Sequence, residues 1–138
     1  MIRITRLALP LVLVGILAAA ASASALEAIS ENRYVTDRLV AARVADRIRK
    51  TCPMIGARIF RAFQQAYALK GWAEGQGYSS AEIDRFLKDR TEKRKIYDRA
   101  EEYLAARGAT SGNVDGFCAL GMQEIAAKSI VGSLIYEK

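Results

Sequence analysis

Two cysteines, no histidine and fifteen carboxylates are what this 138-residue chain offers for chemistry. Cys52 lies in KTCPMIG (50–56) and Cys118 in GFCALG (116–121). A redox dithiol normally keeps its thiols close in sequence, as in C-x-x-C, and no such spacing occurs. A zinc site needs about four nitrogen or sulfur ligands. Two thiols without an imidazole fall short of that. No haem-attachment motif is present. In an oxidising compartment the expected role of Cys52 and Cys118 is a structural disulfide, with two free buried thiols as the alternative.

Without histidine, the commonest acid, base and metal ligand is missing. Carboxylates could still act, but most stand beside lysines and arginines on helical faces and read as solvated surface. Glu101–Glu102 is the one adjacent acidic pair, with Arg99 and Arg107 near it along the helix. SGNVDG (111–116) has the beginnings of a calcium loop in Asn113, Asp115 and Gly116. However, Ser111 stands where the first aspartate belongs and Met122 where the bidentate glutamate belongs. A helix cap and turn is the better account. The expectation is no catalytic residue, no metal and no cofactor.

The segment RFLKDRTEKRK (85–95) concentrates charge: Arg85, Lys88, Arg90, Lys93, Arg94 and Lys95 against Asp89 and Glu92. It reads as a solvated helix with internal ion pairs, or as a contact surface for lipid phosphates, nucleic acid or an acidic partner. Aromatic interleaving for single-stranded nucleic acid is weak there, so no nucleic-acid partner is expected. Tyr67 and Trp72, near the end of a helix, read as core packing or partial exposure.

The positioning elements follow from the rest of the chain. MIRITR (1–6) is basic, LALPLVLVGILAAA (7–20) is apolar, and Ala23-Ser24-Ala25 offers small residues for a peptidase. That order is a secretory signal, with cleavage expected after Ala25. An uncleaved anchor is the rival. The apolar stretch is shorter than the roughly 20 residues that span a bilayer, so no transmembrane segment is expected after cleavage. Residues 26–138 then form a single helical domain in the periplasm.

Helical periodicity dominates residues 26–138, and strands are not expected. A first helix begins after Ser30, carries Val35, Leu39, Ala42, Ala45 and Ile48 on one face, and stops at Pro53. A second runs from about Met54 to Glu74, with Ile55, Ile59, Phe63 and Tyr67 as a core-facing row that Phe60 and Ala66 widen. Gly75-Gln76-Gly77 ends it. Ser79 and Glu82 form a capping box for a third helix with Ile83, Phe86 and Leu87. KDRTEKRK (88–95) carries no apolar side chain, and the face that resumes at Ile96, Tyr97 and Ala100 is rotated by roughly a quarter turn. A kink or break is therefore expected at Asp89–Thr91. The helix ends at Arg107–Gly108, and a last clear helix spans Asn113–Ala127. The tail Ile130–Tyr136 is either a final turn or an extended strap. The expected fold is all-α, a small bundle of four to five helices closed by one disulfide.

DRIRKTC (46–52), GYSSAEI (77–83), AEEYLAARG (100–108), FCALGMQEIA (117–126) and IVGSL (130–134) occur in that order. As a set they resemble a domain-of-unknown-function family of small exported helical proteins from alphaproteobacteria. The family has no established activity, so the resemblance carries over no functional residue. Genes of the family are sometimes found among those for the respiratory NADH–quinone oxidoreductase. The resemblance thus implies an envelope protein or membrane complex as partner, that complex being its sharpest form. The leading expectation is a non-catalytic periplasmic binding or accessory protein. A small-ligand or lipid carrier with an inter-helix cavity, and an enzyme using carboxylate or lysine chemistry, are the alternatives.

Overall fold

The computed structural model describes residues 25–138. The signal segment expected over residues 1–25 lies outside the described residues, apart from Ala25. Six helices and two short strands follow in the order α1 (Arg33–Thr51), β1 (Ile55–Ala57), α2 (Ile59–Gln76), α3 (Ser80–Lys88), α4 (Arg90–Ala105), α5 (Val114–Ala127), α6 (Ile130–Ser133) and β2 (Ile135–Glu137). The all-α reading holds. Two three-residue strands, which periodicity did not lead one to expect, are added to it.

The long helix α1 is central. Asn32, not Ser30, caps it, its side chain accepting from the Val35 amide at 3.2 Å. Val40, Val44, Ala45 and Ile48 are buried, and Ala42 is exposed. The buried stripe is broader than the expected row and shifted from it, because α1 is packed from several sides by α4, α5 and α6. Ile96, Ala100 and Leu104 come from α4, Phe117 and Leu120 from α5, and Val131 with Leu134 from the tail. Arg47 pairs with Glu101 at 2.7 Å between α1 and α4, so Glu101 meets a base on another helix and not Arg99 or Arg107.

Pro53 ends α1 as expected, but the chain does not resume as helix at Met54. Ile55–Ala57 instead pairs antiparallel with Ile135–Glu137, Gly56 opposite Tyr136. The tail is thus both things weighed for it: a single turn at α6, then an extended strap over the core. Ile55 and Ile135 are fully enclosed where the strap crosses.

The expected break stands at Asp89. Its φ of −68° and ψ of 124° are extended backbone, and it serves as C-cap of α3 and N-cap of α4. Its Oδ1 accepts from the Glu92 amide at 2.9 Å. Ile83 and Phe86 before the break, and Ile96 and Ala100 after it, can then each face apolar neighbours. Ser79 and Glu82 form the reciprocal capping box. The hydrogen bonds to Ser79 draw the Glu82 carboxyl below its ordinary range.

Cys52 and Cys118 are bonded, with S–S 2.02 Å and Cα–Cα 5.1 Å. The bond ties the end of α1 to the first turns of α5, and both residues are buried. At SGNVDG, Asn113 Oδ1 accepts from the Gly116 amide at 3.1 Å, and Asn113 Nδ2 donates to the Gly108 carbonyl at 2.9 Å. That segment is a cap and turn.

Candidate functional site

Helix α2 departs most from what its sequence led one to expect. The row of Ile59, Phe63 and Tyr67 faces solvent, not the core. Phe60 is 88% exposed, Tyr67 83%, Phe63 71% and Ile59 53%. Ile55, placed in the same row by its spacing, belongs to β1 and is buried. Ala73 is the one buried residue of α2.

The reason lies in what already covers α1. With α4, α5, α6 and β1 packed around it, little of α1 remains for α2. The side of α2 turned toward the body carries Ala62, Ala66 and Leu69, which line a recess of about 340 Å³ together with Ala42 and Leu134. Small side chains suit that close but loose approach. The helix is held mainly at its ends. At the start, the Arg58 amide donates to the Leu134 carbonyl at 2.8 Å, and Arg58 Nε to the Ile135 carbonyl at 3.1 Å. About two turns on, Gln65 Nε2 donates to Ser133 Oγ at 3.0 Å. At the far end Trp72 stacks on Tyr34, ring centroids 4.0 Å apart. Ala73 packs with Tyr78 and Ile83. Gly77 closes the helix with φ 108°, a left-handed conformation that glycine adopts without strain.

Helix geometry places Phe60, Phe63 and Tyr67 within an arc of about 60°, on the side away from Ala62 and Leu69. Lys70 falls about 20° beyond the Phe63 edge of that arc, and Arg61 about 100° beyond its Phe60 edge. No acid occurs from Arg58 through Ala73, and Glu74 is the first. The outer face of α2 is thus an aromatic ridge with the half-buried Lys70 close on one flank and the exposed Arg61 farther round on the other. Contiguous exposed apolar surface of this kind marks interaction sites.

The six bases of the 85–95 segment are all exposed. Lys95 pairs with Glu92 at 2.9 Å, and that contact raises its ammonium above the ordinary lysine range. The segment straddles the α3–α4 joint. Leu87 is its one large exposed apolar side chain.

Sequence reasoning missed a buried polar cluster. Glu124, read as a surface acid, is 6% exposed. Its carboxylate accepts from the Tyr103 hydroxyl and from Ser129 Oγ. Burial, then the hydrogen bond and charge of Glu124, push the Tyr103 hydroxyl up to about 12. Ser129 also caps α6, its Oγ accepting from the Gly132 amide at 2.9 Å. The only available signal was the apolar company of Glu124 in FCALGMQEIA. The cluster ties α4, α5 and α6 together.

On α1, burial disfavours ionisation of Asp46, but hydrogen bonds and charge from Lys50 and Arg49 outweigh it and hold its carboxyl below the ordinary range. Asp46 and Arg43 border a mainly apolar recess of about 280 Å³ between α1, α3 and α4, with Phe86, Leu87, Ile96 and Tyr97. Arg43 Nε is buried there without a hydrogen-bond partner among the described residues. Among the described residues no group of histidine, cysteine or carboxylate side chains could hold a metal ion, and no helix is long and apolar enough to cross a membrane.

No curated protein and no solved structure matches the chain. The model of a family of unknown function, DUF5333, matches residues 27–136, and the chain, whose aromatic ridge, disulfide and buried Glu124 all fall within that span, belongs to that family.

Proposed function

We propose that this is a non-catalytic accessory protein of the cell envelope, exported to the periplasm, that acts by docking the outer face of α2. The observation that carries the reading is the exposure of Phe60, Phe63 and Tyr67 in one stripe on an otherwise well-packed helical domain. An isolated exposed aromatic needs no explanation, but three in register with basic flanks do. The disulfide supports an oxidising compartment. The exposed bases of the 85–95 segment add long-range attraction to an anionic surface, a second and weaker element of the same contact.

The test is retention in the native envelope. Tagged protein is expected to remain with the envelope fraction, and Phe60→Ser/Phe63→Ser/Tyr67→Ser to be released from it with its melting temperature little changed. Equal retention of both proteins sinks the reading. Subunits of NADH–quinone oxidoreductase among the captured material would give it its sharper form.

A carrier role is the second reading, favoured by the recess beside Arg43. At about 280 Å³ it is near the lower end of small-molecule sites. A small molecule that copurifies in native mass spectrometry, and is lost on Phe86→Trp, would favour it over docking.

A further inference from the structure

We propose that the outer face of α2 seats directly on an anionic phospholipid surface, with Phe60, Phe63 and Tyr67 entering the headgroup–acyl boundary and Arg61 and Lys70 reaching the phosphates on either side. The inference rests on the docking role of α2 and names its occupant.

Three features favour a bilayer over a protein surface. The first is shape. The apolar residues form the crest of one helix, three successive side chains along a line, each more than two-thirds exposed. A crest suits a planar, deformable interface. A protein partner would need a groove cut to fit it. The second is charge placement. Lys70, half-buried, stands close beside the ridge, Arg61 lies farther round on its other side, and the helix has no acid before Glu74. Long basic side chains lay their methylene stems along apolar surface and present their charge at phosphate level. An interfacial helix has this pattern, with aromatics on the buried face and bases beside it. The third is attachment. The underside of α2 is fastened to the body by Arg58 and Gln65 at one end and by the Trp72–Tyr34 stack at the other. The ridge is therefore presented outward on a helix tied to the body near both ends.

Glu74 falls nearly in line with the ridge at its C-terminal end, about 40° from Phe60 by helix geometry. A carboxylate there opposes contact with anionic headgroups. The helix therefore enters with its first half deeper, from Ile59 to Tyr67. Met54, 54% exposed just before β1, lies at that same end of the chain segment.

Co-flotation with vesicles tests this. The exported protein is mixed with vesicles of phosphatidylcholine alone, or of equal phosphatidylcholine and phosphatidylglycerol, and centrifuged through a density step. Flotation is expected with the anionic vesicles and at least tenfold less with the neutral ones. Phe60→Ser/Phe63→Ser/Tyr67→Ser should lower it at least tenfold. Arg61→Glu/Lys70→Glu should lower it in low salt and show little difference from the parent at 1 M salt, where the Debye length is about 3 Å. Phe60, Arg61, Phe63 and Tyr67 are exposed and Lys70 is half-buried, and far-ultraviolet circular dichroism serves as the folding control. Absence of flotation with either vesicle, or flotation indifferent to the aromatic substitutions, overturns the proposal. If flotation fails while the triple variant is still released from native envelopes, the occupant is a protein and the docking role stands. If neither measurement responds, both fall.

Discussion

The Tyr103 hydroxyl donates to the Glu124 carboxylate across the α4–α5 contact, in a part of the fold where that carboxylate is almost wholly shielded from water. Ser129 supplies the second hydroxyl donor. An interior carboxylate is tolerated only while such partners satisfy it. Tyr103→Phe removes one donor and should cost about 1–3 kcal/mol. Glu124→Gln keeps the volume and should cost less than Glu124→Ala. Chemical denaturation of the three variants checks the order.

The same pair sets a response to alkali. The folded state holds the Tyr103 hydroxyl near 12, above its ordinary value of 10.0. The proton is bound more tightly in the folded chain, so the contribution is fully present below pH 10. It is lost as pH rises from 10 towards 12. The parent should therefore lose more stability across that interval than Tyr103→Phe. Parallel losses in the two proteins would show that the Tyr103 contact does not contribute.

Two glycines separate close packing that can yield from close packing that cannot. A β-carbon at Gly121 would strike the end of the Ile55 side chain and the γ2 methyl of Ile48, side-chain atoms that can shift by a small repacking. One at Gly132 would strike the backbone carbonyl of Glu124, where α6 turns over the end of α5. Gly132→Ala should cost more than Gly121→Ala, on the scale of about 1–3 kcal/mol for overpacking. Thermal melts of the two single variants give the ranking.

These contacts also show what periodicity can reveal. The break at Asp89 was legible because Ile83 and Phe86 point one way and Ile96 and Ala100 another, which fixes a change of direction without knowledge of the partner. The role of Cys52 and Cys118 followed from what two thiols without histidine can do. The direction of the α2 face was not legible. The spacing of Ile59, Phe63 and Tyr67 says that they share a side, but only the packing of α4, α5 and α6 on α1 decides that this side is left outside. The strand at Ile55–Ala57 was hidden for a similar reason. Three residues carry no period of their own, and their partner begins at Ile135. Glu124 differs from the surface acids only through Tyr103 and Ser129, which the fold brings to it.

The disulfide closes a loop with a sequence separation of 66 residues. In the chain-entropy account a loop of that length stabilises by about 4 kcal/mol, a large part of the net stability of a small domain. Cys52→Ser/Cys118→Ser should shift the denaturation midpoint strongly downward. The oxidised parent treated with a reductant under denaturing conditions and refolded should match it. A loss below about 1 kcal/mol would show that the unfolded chain is already restricted by other contacts.

At the α3–α4 joint, Asp89→Ala removes the acceptor for the Glu92 amide and should cost about 1 kcal/mol. Asp98→Ala, an exposed acid with no hydrogen bond or ion pair among the described contacts, should be near neutral. Equal effects at the two positions would mean that α4 does not depend on its cap.

The two candidate contact surfaces, the α2 ridge and the 85–95 segment, make different demands on salt. Aromatic side chains leave water on contact, and that gain persists as ionic strength rises. The bases at Arg90, Lys93 and Arg94 are exposed, and their attraction is screened over a Debye length of about 10 Å at 0.1 M and about 3 Å at 1 M. Arg90→Glu/Lys93→Glu/Arg94→Glu should therefore weaken envelope association at low salt by less than the loss of Phe60, Phe63 and Tyr67, and the difference from the parent should vanish at 1 M. The aromatic triple variant should stay impaired at both salt concentrations. Association measured for the three proteins at the two ionic strengths decides the matter. If charge reversal proves the more damaging change, and remains so in high salt, the principal contact is the α3–α4 joint and the α2 ridge is secondary.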